Sequence, residues 1–156
     1  KLLRMMILKQ SYIQHMKNKL KNNIPCILDC ANGGTSDICK KIFSNQHIIN
    51  CKPKGVNINL NSGCTNIDNL KQLCITNKKI GFAFDGDGDR VFVVTTQGEV
   101  LNGDKILHIL SKTFLKPYDC VVGTIYTNSG LEKALKNRNI HSRSLYHDHS
   151  QLQYRN

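Results

Sequence analysis

The chain has 156 residues, 40% of them apolar, which is enough for one globular domain or for one domain and part of another. Its 22 Lys and Arg outnumber its 11 Asp and Glu, giving a formal charge of +11. The sequence has no dense Lys/Arg run and no aromatic series interleaved with basic residues, so we predict no nucleic-acid partner. Compositional drift or acidic ligands such as phosphates explain the positive charge better. No apolar run approaches the roughly 20 residues of a membrane-spanning helix, so no membrane partner is predicted.

Seven cysteines are spread along the chain without a Cys-x-x-Cys pair. An odd number without paired spacing disfavours both a disulfide framework and a zinc knuckle. We therefore expect reduced cysteines that pack in a core, and a cytoplasmic location.

The first elements alternate between helical and extended patterns. Residues 11–23 predict a helix with a basic outer face, and the apolar run 24–30 predicts a buried strand. A turn at 31–36 contains Gly-Gly and leads into a helical stretch, and 47–51 predicts the next strand. Strand, glycine turn and helix in this order are typical of an α/β unit.

The middle of the chain continues with a mixture of helical and extended segments. The sequence predicts a polar loop at 53–64 and a helix at 66–77. A strand at 80–84, a β-hairpin at 91–101 and a helix at 105–115 follow. Asn102 offers an N-cap for the last of these helices. After Pro117 a second unit is predicted, with a strand, a helix and a further strand at 120–126, 129–138 and 140–145.

An acidic loop, residues 85–90, follows the strand predicted at 80–84. Asp85, Asp87 and Asp89 alternate with two glycines, so three like charges lie close together and repel unless a cation neutralises them. The glycines let the backbone curve around an ion. Carboxylate oxygens on a small loop favour Mg²⁺ or Mn²⁺, or Ca²⁺ if further ligands join.

Two other interpretations of this loop are weaker. An EF-hand requires Gly and Glu at its sixth and twelfth positions, where this chain has Arg90 and Thr96. A solvated turn without a ligand needs only one Asp-Gly pair. Arg90 follows the carboxylates directly, and it is equally suited to pairing with an Asp or to binding a phosphate held by the metal.

The residues around this loop resemble a known family. GFAFDGDGDRVFVV at 81–94 resembles the metal-binding loop of the α-D-phosphohexomutase superfamily. LDCANGGTS at 28–36 resembles that family's second-domain opening, and PKGVNIN at 53–59 resembles its bacterial phosphoglucosamine mutase branch. GEVLNGDKI at 98–106 and VGTIYTNSGLE at 122–132 follow in the family's order.

This resemblance implies an α/β fold with a mixed β-sheet flanked by helices, plus an incomplete second α/β unit. It implies an unmatched segment at 1–10, a metal-binding domain at 11–116 and the start of a further domain at 119–156. Asp85, Asp87 and Asp89 would be the ligands of one Mg²⁺, and Arg90 would contact the transferring phosphate. The implied reaction interconverts glucosamine 6-phosphate and glucosamine 1-phosphate through a phosphoserine, so a phosphosugar is the expected substrate.

The chain also departs from the family. No segment resembles the phosphoserine loop, the Glu-x-Ser-Gly sugar-recognition segment or the phosphate clamp of the last domain, and 145–150 diverges from the family's Gly-Asp-Arg-Tyr segment. We therefore expect a fragment that lacks turnover alone and needs the other mutase domains as partners; the oligomeric state stays open. The alternatives are a non-catalytic remnant that only binds a divalent ion, and a fragment of a phosphomannomutase or phosphoglucomutase.

Three lesser patterns are given structural interpretations. Gly33-Gly34 is expected to form a tight turn rather than a phosphate-binding loop, because the dinucleotide glycine pattern is missing. Ser129, with Thr127 nearby, is expected to cap a helix rather than act as a nucleophile. His141, His147 and His149, with Asp148, are expected to be exposed tail residues rather than a metal site.

Overall fold

The computed structural model describes residues 2–20 and 24–145. The chain divides into two compact units between Leu101 and Asn102. The domain boundary predicted from the sequence pattern near 116–119 stays a prediction. The compact units divide earlier because the helix that follows Asn102 packs within the second unit.

The first unit is a five-stranded mixed sheet with helices on both faces. Its elements are α1 (Leu2–Lys19), β1 (Cys26–Asp29), α2 (Ser36–Ile42), β2 (His47–Ile49), a 3-10 turn (Gly63–Thr65), α3 (Asp68–Asn77), β3 (Ile80–Phe84), β4 (Val91–Val94) and β5 (Val100–Leu101). The strand order is β2-β1-β3-β4-β5. β1 is parallel to β2 and β3, whereas β4 is antiparallel to β3 and β5. The predicted mixed α/β sheet is confirmed.

Side-chain alternation along β1 supplies both layers of the core. Ile27 points to one face, where it packs with Leu70 and Cys74 of α3 and with Ala83 and Val94 of the neighbouring strands. The other face carries a second cluster under α2, formed by Cys26, Leu28, Cys30 and Cys39. β1 is buried along its whole length because helices cover both of its faces, as expected for a central parallel strand.

Helix α1 begins much earlier than its sequence predicts. It runs from Leu2 to Lys19 instead of starting at residue 11. Met5, Met6, Ile7 and Leu8 are helical and yet exposed, and no apolar face of period 3.6 marks this segment in the sequence. Ile13 is buried, and an ion pair between Lys9 and Asp37 ties α1 to the start of α2.

The second unit contains α4 (Gly103–Phe114), β6 (Cys120–Thr124), α5 (Ser129–Lys136) and β7 (His141–Leu145). β6 and β7 form a parallel pair, and Leu131, Leu135 and Ile140 form the centre of a small core. Asn102 caps α4 as predicted, accepting a hydrogen bond from the Lys105 amide. Within the described residues, no helix is both long and apolar enough to cross a membrane.

Candidate metal centre

The acidic loop lies at the carboxyl edge of the parallel part of the sheet. β1 ends at Asp29 and β3 ends at Phe84, and the two strands run parallel as neighbours. Their following loops therefore leave the sheet at the same edge, which is where α/β sheets usually place ligand sites. β4 returns antiparallel from the other end of the acidic loop, with Phe84 opposite Val91.

A glycine turn, residues 31–35, supports the acidic loop from one side. The Gly34 amide donates a hydrogen bond of 2.9 Å to the Gly86 carbonyl oxygen. A Cβ on Gly33 would lie 2.2 Å from that same oxygen, so only glycine permits this approach of two backbones. Gly33-Gly34 is thus a tight turn, and the Gly34 amide is engaged by the acidic loop rather than left for a phosphate.

An asparagine loop, residues 57–63, covers the acidic loop from a second side. A Cβ on Gly86 would lie 2.7 Å from Ile58 Cδ1 and 2.9 Å from Asn59 Nδ2, so both side chains pack directly on Gly86. The Asn59 amide donates to the Ala31 carbonyl at 2.9 Å, joining this loop to the glycine turn. The sequence predicts a polar loop here, whose residues 53–59 carry part of the family resemblance, but it does not predict this contact with the acidic loop.

Asp85 is buried and fully engaged by its own loop. It is 1% exposed, and its Oδ1 accepts hydrogen bonds from the amides of Gly88 at 3.0 Å and Arg90 at 3.2 Å. Its Oδ2 accepts a hydrogen bond of 2.6 Å from Arg90 Nε. Burial acts to raise the pKa of Asp85, but the hydrogen bonds from Arg90 outweigh it and hold the pKa well below its usual range.

Asp87 and Asp89 project from the same loop into solvent. One carboxylate oxygen from each of Asp85, Asp87 and Asp89 lies within 4.8 Å of the others. The hydrogen bond with Asp85, followed by repulsion from Asp87, raises the pKa of Asp89. Three hard oxygen donors gathered at one point, two of them open to solvent, fit a Mg²⁺ ion that keeps several waters.

Arg90 pairs with the carboxylate that precedes it by five residues. Besides its bond to Asp85, its Nε lies 3.7 Å from Asp89 Oδ1, and its side chain is 77% exposed. The hydrogen bond to Asp85 raises the pKa of Arg90. Of the two roles left open by the sequence, pairing with an Asp is observed. A guanidinium has five N–H donors, so this pairing leaves capacity for a phosphate, and that contact stays a prediction.

A second buried carboxylate, Asp29, was not singled out from the sequence. Asp29 is fully buried; its Oδ1 accepts from the Ala31 amide at 2.9 Å and its Oδ2 accepts from Asn50 Nδ2 at 3.0 Å. An Asp that ends a buried strand and bonds the amide two residues on forms an Asx turn. The order strand, Asp-x-x-x-Gly-Gly was the available signal, and Asp29 fixes the direction in which the glycine turn leaves β1.

The lesser candidates lie away from the acidic loop in sequence. The N-cap of α5 is Asn128, whose side chain accepts from the Gly130 amide at 2.6 Å, so the expectation that Ser129 caps this helix is wrong. An Asn side chain reaches the second amide of a helix as readily as Ser does, and α5 begins at Ser129, the first residue of the predicted helix. Thr127 Oγ1 accepts from the Thr124 amide. His147, Asp148 and His149 lie outside the described residues.

The fold is shared with solved phosphohexomutases. A phosphoglucomutase/phosphomannomutase family protein from Burkholderia thailandensis superimposes with a TM-score of 0.75 at 19% identity, covering 92% of this chain and 34% of that one. A putative phosphomannomutase from Thermus thermophilus gives a TM-score of 0.68 at 16% identity, covering 90% of this chain and 36% of that one. At these identities the likeness concerns the fold alone. No protein-family model matches the chain.

Two sequence relatives point to a narrower class, the phosphoglucosamine mutases. The chain is 40% identical over 139 residues to the phosphoglucosamine mutase of Hydrogenovibrio crunogenus, covering 83% of this chain and 31% of that enzyme. It is 46% identical over 118 residues to the phosphoglucosamine mutase of Buchnera aphidicola, covering 70% of this chain and 27% of that enzyme. The chain is thus a homologue of the phosphoglucosamine mutases over the part that it matches. It spans about a third of the length of these relatives.

Proposed function

We propose that Asp85, Asp87 and Asp89 hold one Mg²⁺ and that the chain supplies the metal site of a phosphoglucosamine mutase. The observation that carries this proposal is the gathering of three carboxylate oxygens within 4.8 Å on one loop. The loop stands at the carboxyl edge of a sheet whose relatives are named phosphoglucosamine mutases. Residues 11–116 would form the metal-binding domain and 119–156 the start of the next.

In this proposal the chain's residues divide the work. A bound Mg²⁺ neutralises charge on the phosphoryl group during its displacement. Asp87 and Asp89 offer solvent-facing oxygens, while Asp85 anchors the loop through its bonds to Gly88 and Arg90. Arg90 is held beside the site by Asp85 and would contact the transferring phosphate with its remaining donors.

The substrate would be glucosamine 6-phosphate or glucosamine 1-phosphate. Turnover would require the phosphoserine-bearing domain and the sugar- and phosphate-binding segments, with which this chain would associate. The cytoplasmic location belongs to the same proposal. The remnant that binds only a divalent ion, and a mutase acting on mannose or glucose phosphates, remain the rival functions.

A chimeric enzyme tests the catalytic part of this proposal. The 139 residues matched in the Hydrogenovibrio crunogenus phosphoglucosamine mutase are replaced by the corresponding residues of this chain. We expect turnover of glucosamine 6-phosphate in excess of turnover of mannose 6-phosphate or glucose 6-phosphate, and loss of activity with Asp87→Asn. A folded chimera without turnover would favour the remnant, and a preference for mannose 6-phosphate or glucose 6-phosphate would favour the third function.

The isolated chain is the matching control. We expect it to show no mutase activity on the same substrates at any Mg²⁺ concentration, because the sequence contains no segment that resembles the phosphoserine loop. Turnover by the isolated chain, retained after an added purification step, would contradict the expectation that other domains are needed.

A further inference from the structure

Two thiols face each other under helix α2, outside the metal centre. Cys30 follows β1 and is fully buried, and Cys39 lies on α2 and is 4% exposed. Both belong to one core cluster, with Cys26 and Leu28 of β1. Cys26 and Cys30 share a face of β1 with Leu28 because side chains alternate along a strand, and this is the face that α2 covers.

Thr35 bridges the backbones of the two cysteines. The Cys39 amide donates a hydrogen bond of 2.8 Å to the Thr35 carbonyl, and the Thr35 hydroxyl donates one of 3.5 Å to the Cys30 carbonyl. One residue therefore fixes the end of β1 relative to the first turns of α2. The arrangement does not rely on the positions of flexible side chains alone.

The two thiols differ in character because they contact each other. The hydrogen bond with Cys39, together with burial, raises the pKa of the Cys30 thiol. The same hydrogen bond lowers the pKa of Cys39, against the opposing effect of burial. Cys39 is thus the better thiolate and Cys30 the proton-bearing partner, which is the asymmetry of an attacking and a resolving cysteine.

We propose that Cys30 and Cys39 form a dithiol pair that a peroxide converts to a disulfide between β1 and α2. The Cys39 thiolate attacks one peroxide oxygen, the O–O bond breaks, and a sulfenic acid forms. The Cys30 sulfur then attacks the Cys39 sulfur, forming the S–S bond and releasing water. In total two thiols lose two hydrogens and hydrogen peroxide is reduced to two waters.

The other cysteines have different surroundings. Cys74 lies in the opposite core cluster with Leu70, and the Cys64 thiol donates to the Ala83 carbonyl at 2.9 Å. Cys120 is exposed in the second unit and is suited to links between chains. Cys26 lies in the same cluster as Cys30 and Cys39, and Cys51 packs against that cluster, but the hydrogen bond between thiols joins Cys30 and Cys39. The proposed disulfide therefore concerns this pair, and it does not depend on whether the acidic loop binds a metal.

Peptide mapping of the full chain tests the pair directly. The protein, in a Cys120→Ser background, is treated with hydrogen peroxide, alkylated, and cleaved after Lys and before Asp. Cys30 then falls in peptide 29–36, Cys39 in 37–40 and Cys26 in 22–28, so each thiol is reported separately. We expect 29–36 and 37–40 to shift mostly into one cross-linked species that dithiothreitol separates.

Single variants serve as controls. Cys30→Ser and Cys39→Ser are expected to lose this species, whereas Cys74→Ser, a buried thiol on the other sheet face, is expected to keep it. Oxidation of Cys120 in the unmodified chain shows that the peroxide treatment is effective. Under that treatment, recovery of both peptides as alkylated thiols would overturn the proposal. Preferential cross-linking of either peptide to the Cys26 or Cys51 peptide would overturn it as well, and neither result depends on a variant folding.

Discussion

The acidic loop has a buried half and an exposed half, and they are built differently. Asp85 is buried and held by hydrogen bonds within its own loop, whereas Gly86 is buried against two other segments, the glycine turn and the asparagine loop. Asp87 and Asp89 are exposed. The buried half therefore fixes the position of the loop, and the exposed half can bind a ligand.

This division separates stability from binding within five residues. Asp85 accepts three hydrogen bonds at its two oxygens, so it contributes to folding and keeps about one of its roughly four acceptor sites for a cation. Solvated carboxylates contribute little to folding and keep their capacity. Changes in the buried half should thus lower the free energy of unfolding, and changes in the exposed half should lower metal affinity with the fold intact.

Gly33→Ala should have the largest effect. Its Cβ would lie 2.2 Å from the Gly86 carbonyl oxygen, and backbone on both sides cannot yield as a flexible side chain can. We expect the free energy of unfolding to fall by about 3 kcal/mol, at the upper end of overpacking effects, in urea denaturation. Gly34→Ala is the matched control, because its Cβ would meet atoms only at 3.7 Å or beyond. Equal losses in both variants would contradict the close approach.

Asp85→Asn should rank second. It removes the ion pair with Arg90 and weakens the bonds from the Gly88 and Arg90 amides, so we expect a loss of about 2 kcal/mol at pH 7. Asp68→Asn, which loses only an exposed pair with Lys71, should change stability by less than about 0.5 kcal/mol.

The same variant gives a pH dependence with a definite sign. The folded pKa of Asp85 is lowered, so its contribution is complete above the unfolded value near 4 and is lost as pH falls toward the folded value. The gap in unfolding free energy between the parent and Asp85→Asn should therefore be constant from pH 7 to about pH 5 and narrow below about pH 4. A gap that widens on acidification would have the wrong sign.

Asp89→Asn should leave folding almost unchanged and still weaken metal binding. Its carboxylate is 74% exposed, so we expect no measurable change in unfolding free energy. Saturating Mg²⁺ should raise the melting temperature of the parent and of Asp68→Asn, and raise that of Asp89→Asn by much less, because stabilisation follows ligand affinity. Equal increases in melting temperature with Mg²⁺ in all three proteins would show that Asp89 is not a ligand of the metal.

Arg90→Lys should have a modest effect on folding. Lysine keeps the positive charge but lacks the planar guanidinium group that donates to Asp85 at 2.6 Å. The Arg90 side chain is 77% exposed, so water partly screens the ion pair. We expect a smaller loss of unfolding free energy than for Asp85→Asn in urea denaturation. Lys71→Gln removes a pair with Asp68, which is 84% exposed, and should cost still less. A larger loss there than at Arg90 would show that the buried partner of Arg90 adds nothing.

The sequence alone was informative where the signal is local. Three Asp alternating with Gly after an apolar run predicted the acidic loop, and β3 occupies the predicted residues 80–84. The parallel and antiparallel parts of the sheet followed from the family resemblance. Helix α1 was placed too late because its first turns expose Met5 to Leu8 and so lack the amphipathic period on which helix prediction depends.

The sequence did not predict the contacts with other segments that hold the acidic loop in place. Gly33 contacts Gly86 across more than fifty positions of chain, and Ile58 and Asn59 contact Gly86 from a segment for which the sequence predicts a polar loop and a family resemblance but no such contact. Such contacts depend on how β1 and β3 pair, and one sequence carries no pairwise signal for them. The buried role of Asp85 and its bond to Arg90 became clear only from that packing.

Calorimetric titration of Mg²⁺ into the parent chain and into Asp87→Asn tests the central claim most directly. Asp87 is exposed, so the variant should fold like the parent, as circular dichroism of both proteins will verify. We predict one saturable site per parent chain and an affinity at least about tenfold lower in the variant, or about 1.4 kcal/mol of binding free energy. Equal affinity in the two proteins, or no saturable site in the folded parent, would contradict the account.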